Sequence, residues 1–231
     1  MRRPFELSFA LFLLAGFLIG AILPMPWDTP RVSTGANTLL RSPANSTAPE
    51  SSVAAASVEL LDPTDNFELL NTACYVVHSL RSGDYNAVAS VVHPEKGVTF
   101  TPYSTVDFET NLTFTRYQIQ NLPKDKTVYT WGFVDGKDAL INMTMSEYFD
   151  SYVFNVDYSQ APQISVDQIN ISGNALENLT DAYPDCRFVD FSFPGLDAGK
   201  QGLDWCSLKL VFQPGDTRWY LVGVIHSQWT V

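Results

Sequence analysis

Histidine and cysteine are scarce in this chain, three of each in 231 residues. The histidines, His78, His93 and His226, form no H-x-x-x-H or H-E-x-x-H pattern, so the common helical zinc-hydrolase motif is missing. Cys74, Cys186 and Cys206 match no zinc-binding spacing. There is no G-x-S-x-G nucleophile elbow, no phosphate-binding loop, no G-x-G-x-x-G fingerprint and no internal repeat. Positive charge is also short: 14 Lys and Arg face 25 Asp and Glu, a net charge of −11. That argues against a nucleic-acid partner, whose phosphates are held mainly by Lys and Arg, and against docking on anionic headgroups. No residue set assigns a catalytic group, a metal or a cofactor.

What is present begins with export. Arg2 and Arg3 precede an almost unbroken apolar run from Leu7 to Leu23. A basic end before such a run is held in the cytoplasm while the following chain crosses. The run is close to the roughly 20 residues that span a bilayer, and the "GAILPMP" after it is a poor cleavage site. Residues 1–25 are thus a signal-anchor, or a signal peptide if cleaved. Residues 26–57 are rich in Pro, Ser, Thr and Ala without a period of 2 or 3.6, and read as a disordered tether. A globular domain over 58–231 then lies outside the cytoplasm, on the membrane or secreted. Sequons occur at Asn45, Asn111, Asn142, Asn170 and Asn178.

The folded part opens with helical patterns. Asp65 and Gly83 bracket a helix over 65–82, with Phe67, Leu70, Cys74, Val77 and Leu80 as its stripe. Asp84 caps a second helix over 85–92, ended by His93-Pro94. A strand at 98–104 follows. Thr115-x-x-Gln118, Thr144-x-x-Glu147 and Asn174-x-x-Glu177 are capping-box patterns for short helices, the second over 145–154 and the third over 174–183. Asp135-Gly136 is the turn of a hairpin over 127–134 and 138–144. "CRFVDFSF" is a strand, and 194–204 a loop.

Two apolar runs around Pro-Gly-Asp close the chain as an antiparallel hairpin. Pairing Phe212 with Trp219 sets Leu210 against Leu221, Leu208 against Gly223 and Cys206 against Ile225, on the core face. The opposite face then carries Trp205, Ser207, Lys209 and Val211 against His226, Val224, Val222 and Tyr220. On this register His226 points away from the core, and Trp205, Tyr220, Val222, Val224 and His226 make a semi-apolar patch for a second copy or an envelope protein. Cys186 and Cys206, both in strand-like segments, are a candidate disulfide.

The order of elements indicates an α+β fold. The stretch "LRSGDYNAVASVVHPEKGVTF" and the ending "WCSLKLVFQPGDTRWYLVGVIHSQWTV" resemble the nuclear transport factor two-like (cystatin-like) family. "HPEKGV", "YTWGFVDG" and "DWCSLKLVFQPGDTRWYLVGVIHSQW" are similar to segments of uncharacterised bacterial exported proteins. The resemblance implies a helix pair packed on a curved antiparallel sheet that ends in a long C-terminal hairpin, a cone with a pocket between helices and sheet. His93, Glu95, Tyr103, Trp131 and Tyr148 are the candidate ligand-binding residues. His93 is either a base oriented by Glu95 or a helix stop in a solvated turn, and the aromatics either line a pocket or fill a core. The expected function is a non-catalytic extracytoplasmic domain that binds a ligand or partner. The alternatives are a hydrolase or isomerase with its site in the cone, and a purely structural module.

Overall fold

Capping residues start and stop the two leading helices. In α1 (Asn66–Ser82), the Asp65 carboxylate accepts from the Phe67 backbone N–H at 2.7 Å, and Gly83 ends the helix in the left-handed region at φ 68°. In α2 (Tyr85–Val91), Asp84 accepts from the Ala87 N–H at 3.0 Å. The structure, a computed structural model, describes residues 60–230. The signal-anchor or signal segment at 1–25, the tether at 26–57 and the Asn45 sequon lie outside the described residues. Among the described residues no helix is long and apolar enough to cross a membrane.

The chain continues through β1 (Val98–Thr101), β2 (Leu112–Phe114), α3 (Arg116–Gln120), β3 (Val128–Phe133) and β4 (Leu140–Thr144). Then come α4 (Met145–Tyr148), extended by a π-helical turn over Phe149–Val153, and β5 (Gln163–Val166). A short α5 (Leu179–Ala182) precedes β6 (Arg187–Phe193), β7 (Cys206–Pro214) and β8 (Trp219–Gln228). Six strands form one sheet in the order β2-β1-β8-β7-β6-β5, and β3–β4 is a separate hairpin. The fold is mixed α+β. Both α1 and α2 lie against β8. The sheet is not wholly antiparallel, because β1 runs parallel to β8. These strands are far apart in sequence, so no tight turn dictates their relative direction.

Local signals gave local structure. Thr115 with Gln118, and Thr144 with Glu147, form complete capping boxes. The Asn174-x-x-Glu177 box does not form, and only the four residues of α5 are helical. Asn174 donates to the Thr230 carbonyl instead, and the Glu177 carboxylate takes the Lys209 ammonium. The stripe of α1 is also rotated: Leu69, Ala73, Val76, Val77 and Leu80 are buried, whereas Phe67 is 68% exposed. Apolar residues at both 69 and 70, and both 73 and 74, leave the period compatible with either stripe.

The closing hairpin carries the main correction. Leu210 pairs with Val224, Leu208 with His226 and Cys206 with Gln228. The register shifts between Val211, opposite Gly223, and Phe212, opposite Leu221, so Val222 is an extra residue in β8. Such a bulge exchanges the faces of everything beyond it. Leu221 and Val224 join the main core beside Leu208, Leu210 and Phe212, while Val222 and Ile225 lie on the opposite face with Val211. His226 therefore points into the core and not away from it, only 1% exposed and edge-on to the Tyr152 ring at 5.7 Å.

The opposite, outer face is also covered. Val106, Leu179, Tyr183, Phe188, Val211, Val222 and Ile225 form a second apolar cluster there. The expected interface patch is accordingly not an open surface: Trp205, Val222, Val224 and His226 are buried and Tyr220 is half-buried. The disulfide is absent too. Cys186, just before β6, and Cys206, opposite Phe193 at the far end of β6, are both free thiols. Seven strand residues at ~3.3 Å each keep them roughly 20 Å apart.

Candidate functional site

The sequence-predicted ligand residues do not assemble into one pocket. His93 sits in the turn after α2, where its Nδ1 accepts from the backbone N–H groups of Glu95 at 3.2 Å and Lys96 at 3.0 Å. The basic lone pair of the ring is thus already used by backbone, and the Glu95 side chain is exposed. Burial, then the nearby Lys96 charge, holds the His93 imidazole below its ordinary range. His93 is a turn-forming neutral ring, edge-on to Tyr220 at 5.4 Å.

Trp131 and Tyr148 belong to the core between helices and sheet. Their rings stack at 3.7 Å and 8°, and both are 1% exposed. Phe100 packs against both of them and against Phe114 and Phe149. Such pairs contribute about 0.5–1.5 kcal/mol each beyond their area burial. The space where a cone would hold a ligand is filled by side chains. Tyr103 lies at the rim, its hydroxyl accepting from the Asp135 N–H at 3.1 Å. Tyr103 and an edge of Trp131 line an open cleft of about 380 Å³ with Phe133 and Leu176.

A cleft of about 450 Å³ lies on the outer face of the sheet. That volume lies within the usual range for small-molecule sites. Its floor is the outward side of four strands, Thr113 on β2, Thr99 on β1, Val222 on β8 and Gln213 on β7. One wall is Phe108 edge-on to Tyr183 at 5.2 Å, continued by Ala182 and Pro184. The polar end holds Lys96, whose Nζ donates to Gln213 Oε1 at 2.7 Å. Asp185 and Cys186 close the rim.

Glycines make this arrangement feasible. Gly97 has φ 71°, and a Cβ there would lie 2.5 Å from the Phe114 carbonyl oxygen, so only glycine lets β1 meet β2 directly beside Lys96. At Gly223 a Cβ would lie 2.9 Å from the Tyr183 hydroxyl, so the missing side chain is what allows the Tyr183 ring to lie on β8.

The cover that shapes the cleft is pinned by polar contacts. The Asn178 side chain accepts from the Val106 N–H at 2.8 Å and donates to the Val106 carbonyl at 2.9 Å. Glu177 reaches through to Lys209, which is 0% exposed; their ion pair is 2.6 Å long, and Lys209 also donates to Ser227 Oγ at 2.7 Å. Asp190, directly across from Lys209 on β6, is buried and accepts from the Asn170 N–H and the Ser192 hydroxyl. Burial pushes the Asp190 carboxyl above its usual range, and its hydrogen bonds and Lys209 counter that shift. Asn170 and Asn178, two of the sequon asparagines, both use their amide nitrogens in these contacts.

Two titratable groups of the cleft are held neutral. Burial pushes the Cys186 thiol up to about 11 and the Tyr183 phenol up to about 12, so both are protonated at neutral pH. A thiol in that range is a poor nucleophile, and neither group is tuned for proton transfer near neutrality. Among the described residues no group of three or more His, Cys, Asp or Glu is placed to hold a metal ion. Lys96, Thr99, Phe108, Tyr183 and Gln213 come from well-separated parts of the chain, so no sequence motif marks them together as a site. The one local signal was the polar H-P-E-K cluster, of which Lys96 is the member facing the cleft.

Solved structures show partial overlap with this chain. A domain of unknown function with a cystatin-like fold from Nostoc punctiforme is 10% identical, covering 70% of this chain and 75% of its own, with a TM-score of 0.32. An NTF-2 like protein of unknown function from Shewanella oneidensis is 11% identical, covering 69% of this chain and 96% of its own, with a TM-score of 0.28. No protein-family model matches the chain, and no curated protein matches it. The architecture stands on its own strand order and on the helix pair packed against β8.

Proposed function

We propose that this protein is a non-catalytic ligand-binding module of the cystatin-like kind, with its ligand held in the outer-face cleft. One observation carries the reading: the interior between helices and sheet is closed by the Trp131–Tyr148 stack, while a 450 Å³ cleft lies on the opposite face. The protonated Cys186 and Tyr183 favour binding over catalysis there. The arginine-led apolar run at the N-terminus supports display outside the cytoplasm, on a membrane anchor or after release.

Thermal unfolding of the full chain with a set of small metabolites tests the site, using wild type and Thr113→Trp. Thr113 is exposed on an edge strand, so the indole fills the cleft without entering the core. The expected result is stabilisation of wild type by at least one compound, lost in the variant. Equal stabilisation of both proteins removes the cleft from the reading. A C-terminal alkaline phosphatase fusion tests the location, and an inactive, well-expressed fusion counts against display outside the cytoplasm.

A further inference from the structure

The cleft is asymmetric, and its asymmetry specifies a ligand chemistry. At one end Lys96 brings a cation within 2.7 Å of Gln213 Oε1, which leaves the Gln213 amide nitrogen as a second donor. The hydroxyls of Thr99 and Thr113 lie 2.7 Å apart on the adjoining floor and add polar atoms beside Lys96. At the other end the surfaces are apolar: Phe108, 56% exposed although it packs edge-on against Tyr183, with Ala182, Pro184 and Val222. An exposed phenylalanine over a cleft is a surface that a ligand can dehydrate.

The charges limit the ligand further. Lys96 is the one cationic residue among those lining the cleft, and Asp185 is the one anionic residue. Both line the same cleft, Lys96 beside Gln213 and Asp185 at the rim next to Cys186. One cation complements one negative charge, and a phosphate dianion would find no second cation among the lining residues. A cationic ligand would be repelled by Lys96 at the polar end.

We infer that the outer-face cleft binds an amphipathic monocarboxylate, its carboxylate on Lys96 and Gln213 and its apolar body between Phe108 and Tyr183. This rests on the reading of the cleft as the ligand site. The acidic surface of the chain does not favour anions in general, so selection is left to the local cation. The apolar wall then selects acids with a ring or a short acyl chain over acetate or formate.

The test is isothermal titration of the full chain with benzoate and octanoate, and with the uncharged benzamide and octanamide. The expected result is binding of the acids and loss of at least about tenfold in affinity for the amides, the size expected for losing a charge-assisted hydrogen bond. Lys96→Met should weaken the acids by a similar factor and leave the amides unchanged, and Lys96→Arg should restore most of the acid binding. If amides bind as tightly as acids and Lys96→Met changes neither, the carboxylate inference is overturned while the cleft stands, provided Thr113→Trp abolishes both. If Thr113→Trp leaves acid binding unchanged, the cleft itself is not the site and both readings fall.

Discussion

Leu208 and His226 face each other across β7 and β8, and both side chains enter the main core. The imidazole is 1% exposed and its polar contact is Gln228 Oε1, 3.2 Å from Nε2, while Nδ1 has no hydrogen-bond partner. Burial pushes its pKa down to about 4, which the Gln228 contact only partly opposes. It is a neutral aromatic core residue that happens to be titratable.

Acid should therefore weaken the fold through this ring. The unfolded imidazole binds a proton near 6.5 and the folded one near 4, so between those values the unfolded state holds more protons and stability falls as pH falls. At about 1.4 kcal/mol per pH unit the full loss is about 3 kcal/mol, complete near pH 4 and absent above 6.5. Urea unfolding of wild type and His226→Leu from pH 4 to 7 should show the wild-type acid limb steeper by that amount. Parallel limbs would mean that the ring is solvated or already charged in the folded state.

The buried ion pair gives a second expectation. Lys209 is 0% exposed and the Glu177 side chain 16%, so neither charge is compensated by water if its partner is removed. Lys209→Met strands Glu177, and also Asp190 across the β6–β7 pair, and should cost about 3–5 kcal/mol. Adding Glu177→Gln should recover part of that loss, giving a coupling energy well above the 0–1 kcal/mol of an exposed pair. A double-mutant cycle by urea unfolding measures it. Additive single effects would show that the ion pair does not fasten the cover to the sheet.

Features held within a few residues were readable from the sequence. Asp65, Asp84, Thr115 and Thr144 each cap a helix through a contact two or three residues away, and all four could be named from spacing alone. Burial of Leu208, Leu210 and Phe212 on one face followed from alternation in β7. The orientation of His226 did not, because one inserted residue at Val222 reverses the parity of the rest of β8. Gly223, isolated within a strand pattern, was the available sign of that bulge. The cover of the outer face was out of reach for a different reason. It is mostly irregular chain held by contacts such as Asn178 to Val106, 72 residues apart, which no periodic pattern encodes. The cleft inherits that difficulty, since its cation, aromatic wall and floor come from separate elements.

The Gly223–Tyr183 contact ties the bulge to the cleft and can be tested by adding one methyl group. A Cβ at 223 would lie 2.9 Å from the Tyr183 Oη, 3.0 Å from its Cζ and 3.2 Å from the Val211 Cβ. The first two atoms belong to a ring that packs on the strand, and the third to a fully buried valine, so relief requires Tyr183 to lift away from β8. Overpacking of this kind costs about 1–3 kcal/mol. Gly223→Ala should lower stability by that amount, and Tyr183→Phe in the same background should restore some of it by removing the closest atom. Tyr183→Phe alone should cost little, because its hydroxyl reaches the Val222 carbonyl only at a long 3.5 Å and otherwise meets the Thr99 side chain. If Gly223→Ala is neutral and leaves ligand binding intact, the ring is not held against the strand as described, and the wall of the cleft is looser than the proposed ligand requires.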